Sequence, residues 1–488
     1  MHVKFFKEKI VENSGIILIL LLLFDICYSF IQYYHTQLDG DIAGGVVPSS
    51  DVQKILDNPF GLNVILKNHV YPNPNRFFAH WVMSAYFNNV PFVFQKFVSP
   101  VDSIYLSCAL AKIIIQISII FLIAICICGI RKILKKEILI AAVLITPLFQ
   151  TCGYRGYMGI IDPSITYTFF YPLPLIFLML FFLLYYYAIT NKEKNKFSIP
   201  IKIYLLVMAV VLPLSGPLIP GTILIVCSLI LLQKWLIYFT QSPKLSSFQK
   251  LFLSINKVPK FFLFIFILLI VISLYSLYIG RNNSINFDNA ISIKDRYLRI
   301  PAGLYFQFTQ KLGWPLLFLM LAINTLIIWK KHNQTEGQKI LQLLKWIGIF
   351  AAFYIFLLPL GGFRTYRPNI LRYDTIMPIT ICMIFIYGLS TYFLINNISA
   401  KYKKLYLSGI VVFLLIFSYA DKLNLSENVC ERQALETIAQ SPGKIVFIKN
   451  DCTIMSWEKI TDCKDSELNS KLLQYWNVTK EKKLYYQK

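Results

Sequence analysis

The chain has 488 residues, 56% hydrophobic and 16% aromatic with only 15% charged, and a mean hydropathy of +0.58. That balance excludes an ordinary soluble domain and points to a polytopic membrane protein. Its formal net charge of +23 sits in short basic clusters between apolar runs, as the positive-inside rule requires, so the charge is topological and does not argue for a nucleic-acid partner.

Apolar runs long enough to cross a bilayer, on the order of 20 residues each, lie near 16–33, 104–130, 138–152, 166–189, 203–218, 223–239, 261–279, 315–329, 346–360, 375–395 and 405–419. The fold class this predicts is an all-α polytopic membrane protein with about 11 transmembrane helices; the runs ending near Cys152 and Leu218 are short enough to be re-entrant instead. The first run is long and lacks a convincing small-x-small cleavage site, so it reads as a retained anchor. With a cytoplasmic N-terminus the basic clusters at 131–136, 192–202, 234–260 and 401–404 fall inside. The outer face then receives 34–102, 153–165, 215–221, 281–313, 361–374 and the tail from 421, and the chain divides into a transmembrane domain (1–420) and a small outer domain (421–488).

The first outer loop, 34–102, is long enough to be functional. Two apolar-periodic stretches, 51–56 and 77–87, joined by the proline-punctuated HVYPNPNRFF, predict two short helices along the membrane surface. The tail reads as an α/β unit: a helix over 427–440 with Ser426 as its cap, then a strand in KIVFIKN. Seven of the ten cysteines fall in or beside apolar spans, where Cys acts as a small hydrophobe. Cys430, Cys452 and Cys463 share the tail, and Cys452–Cys463 is the expected disulfide, in an oxidising compartment.

Chemistry concentrates in a few polar segments. HTQLDGDIAGG, directly after the first span, carries Asp39 and Asp41 across a glycine that lets a turn bring both acids to one point, where they would serve as a shared-proton pair or hold a divalent metal. A solvated, helix-capping loop is the plain alternative. GGFRTYRPNILRYD places Arg364, Arg367 and Arg372 in one outer loop against the positive-inside bias, which suits an anion; guanidinium offers paired donors to phosphate and keeps its charge. Ion pairs with Asp374 or Asp162, or lipid headgroups, are the competing use. SIKDRYLRIPAG adds Lys294, Arg296 and Arg299 as an accessory cluster or a headgroup-binding surface helix. Asp162, before a proline and after Arg155, is a further acid that orients an acceptor or simply makes a turn. His69 and His80 lack a ligand triad for zinc, and Asp25 inside the first span has no companion acids of the kind a proton-coupled transporter carries.

A retained first span, acids directly after it in a long outer loop with surface helices, about eleven spans, and an arginine-bearing loop before a late span together resemble the GT-C class of integral-membrane glycosyltransferases. The resemblance implies sugar transfer, at the outer face, from a polyprenyl-phosphate carrier to a lipid, glycan or protein acceptor. Asp39 or Asp41 would be the base, and Arg364, Arg367 and Arg372 the phosphate clamp. Many members carry an adjacent Asp-Glu pair, whereas here a glycine separates two aspartates, which leaves open which acid is the base and whether a metal is used. Displacement at the anomeric carbon would pass through an oxocarbenium-like state and invert the centre. The alternatives are a polysaccharide polymerase or ligase using polyprenyl-diphosphate glycans, and a transporter or flippase, which predicts paired broken helices and intramembrane charges. The expected location is a bacterial inner membrane, with the site facing the periplasm or exterior.

Overall fold

The computed structural model describes residues 2–129, 135–149, 158–190, 198–241, 245–256, 258–287, 291–330, 335–363, 367 and 369–488. Among these, nine helices are long and apolar enough to cross a membrane: Gly15–Tyr34, Pro100–Cys128, Ile165–Tyr187, Ile219–Gln241, Lys260–Gly280, Gly313–Lys330, Thr335–Gly361, Met377–Asn397 and Ala400–Ala420. The two remaining apolar runs make shorter elements. Lys136–Ile145 passes into a 3-10 turn at Thr146–Leu148, and Ile199–Val211 passes into one at Leu212–Leu214. Proline sits in both turns, removes an amide donor and stops the α-helix short of a full crossing length.

Met377–Asn397 is the most enclosed of the spans and packs on Pro100–Cys128, Lys136–Ile145, Gly313–Lys330 and Thr335–Leu357. Backbones approach closely at Gly388, where a Cβ would meet Ile127 Cδ1 at 2.5 Å and Ile145 Cγ2 at 3.0 Å. Small residues at such crossings serve membrane bundles because lipid supplies no hydrophobic drive, so packing must. A buried polar cluster adds to it. Asn324 donates to Ser390 Oγ and Thr391 Oγ1, both at 2.9 Å, and accepts from the Tyr406 hydroxyl at 2.8 Å.

One end of the bundle carries a cap built from the first loop and the tail. The two helices predicted in the loop form as Ser50–Leu56 and Phe77–Phe87, and three further short ones, Ile42–Val46, Leu62–Lys67 and Val90–Phe94, join them. In the tail, strand β1 (Ile445–Ile448) pairs in parallel with strand β2 (Leu484–Gln487), in the register Ile445 to Leu484. Helices Val429–Gln440 and Glu467–Tyr475 flank them. Glu431, Ala434, Leu435 and Ile438 form the buried stripe of the first of these helices, at the spacing an amphipathic helix requires. Its N-cap is Asn428 rather than the predicted Ser426, and no side chain caps it.

The expected Cys452–Cys463 disulfide is incorrect. Cys430 pairs with Cys452, with Cα atoms 6.2 Å apart, and Cys463 is free. Cys430 lies in the first turn of its helix, and the chain returns past that turn after β1, which sequence spacing alone does not encode.

The tail docks on the first loop through Trp476, which is fully buried and donates its indole N–H to the Phe87 carbonyl at 3.1 Å; Gln95 Nε2 donates back to the Trp476 carbonyl at 2.7 Å. Arg432 adds a second fastening. Its guanidinium pairs with Asp102 at 2.5 Å and lies over the rings of Tyr105 (3.9 Å) and Tyr34 (4.4 Å). Each such ring contact is worth about 0.5–2 kcal/mol depending on desolvation.

Candidate functional site

Where loop, bundle and tail meet there is a cavity of about 540 Å3. Its wall takes Thr36 to Asp39 from the first loop, Asp162 to Ser164 and Tyr167 from the second, Arg367 and Arg372 to Asp374 from the late loop, and Glu427, Thr453, Ser456 and Trp457 from the tail. Segments more than 300 residues apart thus surround one space, and Asp39, Asp162, Arg367 and Arg372 come together in it.

Asp39 is buried and accepts four hydrogen bonds: from Asp41 N (2.9 Å) and Thr166 Oγ1 (2.8 Å) on Oδ1, and from Ser164 Oγ (2.9 Å) and Thr166 N (3.0 Å) on Oδ2. A carboxylate offers about four lone-pair sites, so Asp39 is saturated by protein donors. Asp41 is exposed, precedes the short helix at Ile42 without capping it by its side chain, and lies within electrostatic reach of Tyr167. The two acids therefore do not converge. Among the described residues no three His, Cys, Asp or Glu side chains form a metal-holding group. Gly40 has a different use from the one the sequence suggests. A Cβ there would meet Trp457 Cδ1 at 2.6 Å and Trp457 N at 2.7 Å, so only glycine lets the tail lie against the loop.

The second loop is set by its own capping. Ser164 is the N-cap of Ile165–Phe170 and accepts from Tyr167 N, while Asp162 Oδ1 accepts from Ser164 N at 2.7 Å. Asp162 Oδ2 is buried and has no hydrogen-bond partner among the described residues. The Tyr373 phenol lies within hydrogen-bonding reach of this carboxylate and favours its charged form. Burial raises the Asp162 carboxyl to about 6, against the Tyr373 phenol, the Ser164 amide and the cation of Lys112, which lower it; Asp374 adds to the rise. Burial first, and Asp162 second, push the Tyr373 phenol well above its ordinary range.

Of the predicted arginines, Arg364 and the neighbouring Arg155 lie outside the described residues. Arg372 grips Asp374 through Nε (3.0 Å) and Nη2 (3.0 Å) and donates Nη1 to the Asn369 carbonyl at 3.2 Å. Arg367 reaches the same Asp374 at 3.3 Å and donates to the Tyr167 hydroxyl, lying over that ring at 4.8 Å. Asp374 is thus the ion-pair partner that the loop sequence offered. Two guanidiniums share one carboxylate, so the late loop contributes one surplus positive charge, set against Asp39, Asp162 and Glu427 in the same lining, and both side chains are held in fixed orientation. The accessory cluster lies elsewhere. Arg296 donates to the Ile291 and Pro359 carbonyls, both at 3.3 Å, and Arg299 lies over Phe363 at 4.9 Å; neither lines the cavity. They brace the start of the arginine loop instead.

Several site residues escape a reading of the sequence. Glu431 is fully buried and accepts from Leu38 N (2.9 Å), Met455 N (2.9 Å) and the Tyr105 hydroxyl (2.8 Å), so the tail holds the residue next to Asp39. Burial raises its carboxyl to about 7, opposed by those three donors. Trp457 stacks on Tyr167, with centroids 5.9 Å apart and planes 25° apart. Lys112, inside a span, is buried and donates to the Pro163 carbonyl beneath the cavity. A lysine within an apolar run was the available signal, since ionisable groups at that depth usually have a task. Compared with models of known protein families and with curated protein sequences, the chain matches none.

Proposed function

We propose that this integral membrane protein is a glycosyltransferase that moves a sugar from a polyprenyl-phosphate carrier to a lipid, glycan or protein acceptor, with its site facing the outer side of a bacterial inner membrane. The observation that carries this reading is the meeting of acids and preorganised guanidiniums in one cavity beside the ends of membrane-crossing helices. A carrier anchored in the bilayer presents its phosphate at that level. Arg367 and Arg372, oriented by Asp374, counter the charge that grows on the departing phosphate, and a cavity carboxylate takes the acceptor's proton. The acceptor oxygen bonds to the anomeric carbon as the carbon–phosphate oxygen bond breaks, and the electron pair of that bond leaves with the phosphate. A single displacement of this kind inverts the anomeric centre.

The test is mass spectrometry of lipids that co-purify with the protein in mild detergent, beside the Arg367→Gln/Arg372→Gln variant. A polyprenyl-phosphate monosaccharide present in the first sample and depleted in the second supports the reading and identifies the donor. Bulk phospholipid alone in both samples overturns it.

A further inference from the structure

Building on the transferase reading, we infer that Asp162, rather than Asp39 or Asp41, is the catalytic residue that takes the acceptor's proton, and that Asp39 is a positioning residue that holds the Asp162 turn at the cavity. The argument rests on acceptor capacity. A general base needs a lone pair directed at the reacting hydroxyl. All four lone-pair sites of Asp39 are occupied, by Asp41 N, Thr166 Oγ1, Thr166 N and Ser164 Oγ. Three of these donors belong to the buried Ser164 and Thr166, and a buried donor left unpaired costs about 1–3 kcal/mol, so only the Asp41 amide could be released cheaply and Asp39 would keep its other three bonds. Asp41 is exposed and does not line the cavity.

Asp162 is the opposite case. It is 5% exposed and lines the cavity; Oδ1 is fixed by Ser164 N, and Oδ2 has no partner among the described residues. A buried polar atom without a partner calls for an explanation, and a substrate hydroxyl supplies one. The groups that face Asp162 set its basicity. Burial and Asp374 make it a stronger base than a free carboxylate, while Lys112, Tyr373 and the Ser164 amide keep it ionised at neutral pH. The bonds that Ser164 and Thr166 donate to Asp39 close around the turn that immediately follows Asp162, so the task of the first-loop acid is geometric. In the reaction the acceptor O–H proton passes to Asp162 Oδ2, the acceptor oxygen bonds to the anomeric carbon, and the carrier phosphate departs with the bonding pair. The proton later leaves through the cavity mouth.

The experiment uses the full-length protein in nanodiscs with a panel of synthetic undecaprenyl-phosphate monosaccharides. It measures release of undecaprenyl phosphate with water or an added short-chain alcohol as the acceptor hydroxyl and, separately, binding of undecaprenyl phosphate alone. For Asp162→Asn, release falls by about 100-fold or more, the range set by loss of a general base, while binding of the lipid phosphate stays within about twofold. The wild-type rate rises with pH through about 6, and Asp162→Glu moves that limb. Release at the wild-type rate in Asp162→Asn, or a limb that stays in place in Asp162→Glu, overturns the assignment and leaves the transferase reading intact. Absence of both binding and release in the wild type overturns the transferase reading and the assignment together.

Discussion

Two turns at the same cavity, 36–41 and 158–164, each bring an aspartate to the wall, and their surroundings are opposite. Around Asp39 every acceptor site is occupied by a protein donor; around Asp162 one carboxylate oxygen is buried with no hydrogen-bond partner among the described residues. Identical side chains therefore have different uses. The saturated one rigidifies the wall, and the unsaturated one is left for a reactant. The lesson is that the count of donors around a buried acid says more about its role than its position after the first span.

Substitutions can break or sharpen that contrast. The largest stability effect is expected for Asp39→Ala, which strands four donors at 164–166 and 41 and costs about 3–5 kcal/mol. Thermal unfolding in detergent reads this directly, and Asp162→Asn in the same assay should change stability by no more than about 1 kcal/mol. Equal losses in the two variants would erase the distinction between the turns. Arg372→Ala comes next: it removes the bidentate partner of the buried Asp374 and costs about 2–4 kcal/mol, because it leaves a buried charge half-paired. Adding Asp374→Asn should recover part of that loss, and a double-mutant cycle with no coupling would show that the pair does not hold the loop.

Gly40→Ala is expected to cost about 1–3 kcal/mol by overpacking against Trp457. The tail then lifts from the first loop, so amide exchange should speed up at Leu38 and Met455, whose N–H groups Glu431 accepts. Unchanged exchange would mean that the loop carries the turn without the tail. The smallest effect at neutral pH belongs to His80, whose two ring nitrogens are buried against Phe170 without hydrogen-bond partners among the described residues. Burial lowers its pKa to about 3, below the unfolded value. The native state thus binds fewer protons there, and the stability that neutral His80 contributes is present above 6.5 and lost as pH falls towards 3. His80→Phe should be nearly neutral at pH 7 and should flatten the acid limb of unfolding; an unaltered limb would assign that limb to other groups.

Much of the bundle was legible in the sequence because hydropathy is a one-dimensional signal. Nine of the predicted runs form long apolar helices, and the other two were already short enough in the sequence to read as re-entrant. Phe77–Phe87 was legible to the residue, since its apolar periodicity is local. The site was less so. The acids and the arginine loop stand out by type and position, yet the saturation of Asp39 depends on Ser164 and Thr166, more than 120 residues away. The partnerless oxygen of Asp162 depends on burial that no local pattern predicts. Glu431 and Trp457 look like ordinary tail residues until the fold brings them to Leu38 and Gly40. Disulfide choice among three tail cysteines is likewise a property of the return path of the chain.

The fastening of Leu38 by Glu431 spans 393 residues. The first loop and the tail build one wall between them, so the space around Asp39 is enclosed only once 421–488 has folded against 34–102. The integrity of the cavity is thereby tied to the docking of the tail, so damage to the tail reaches the surroundings of Asp39 without altering the loop that carries it.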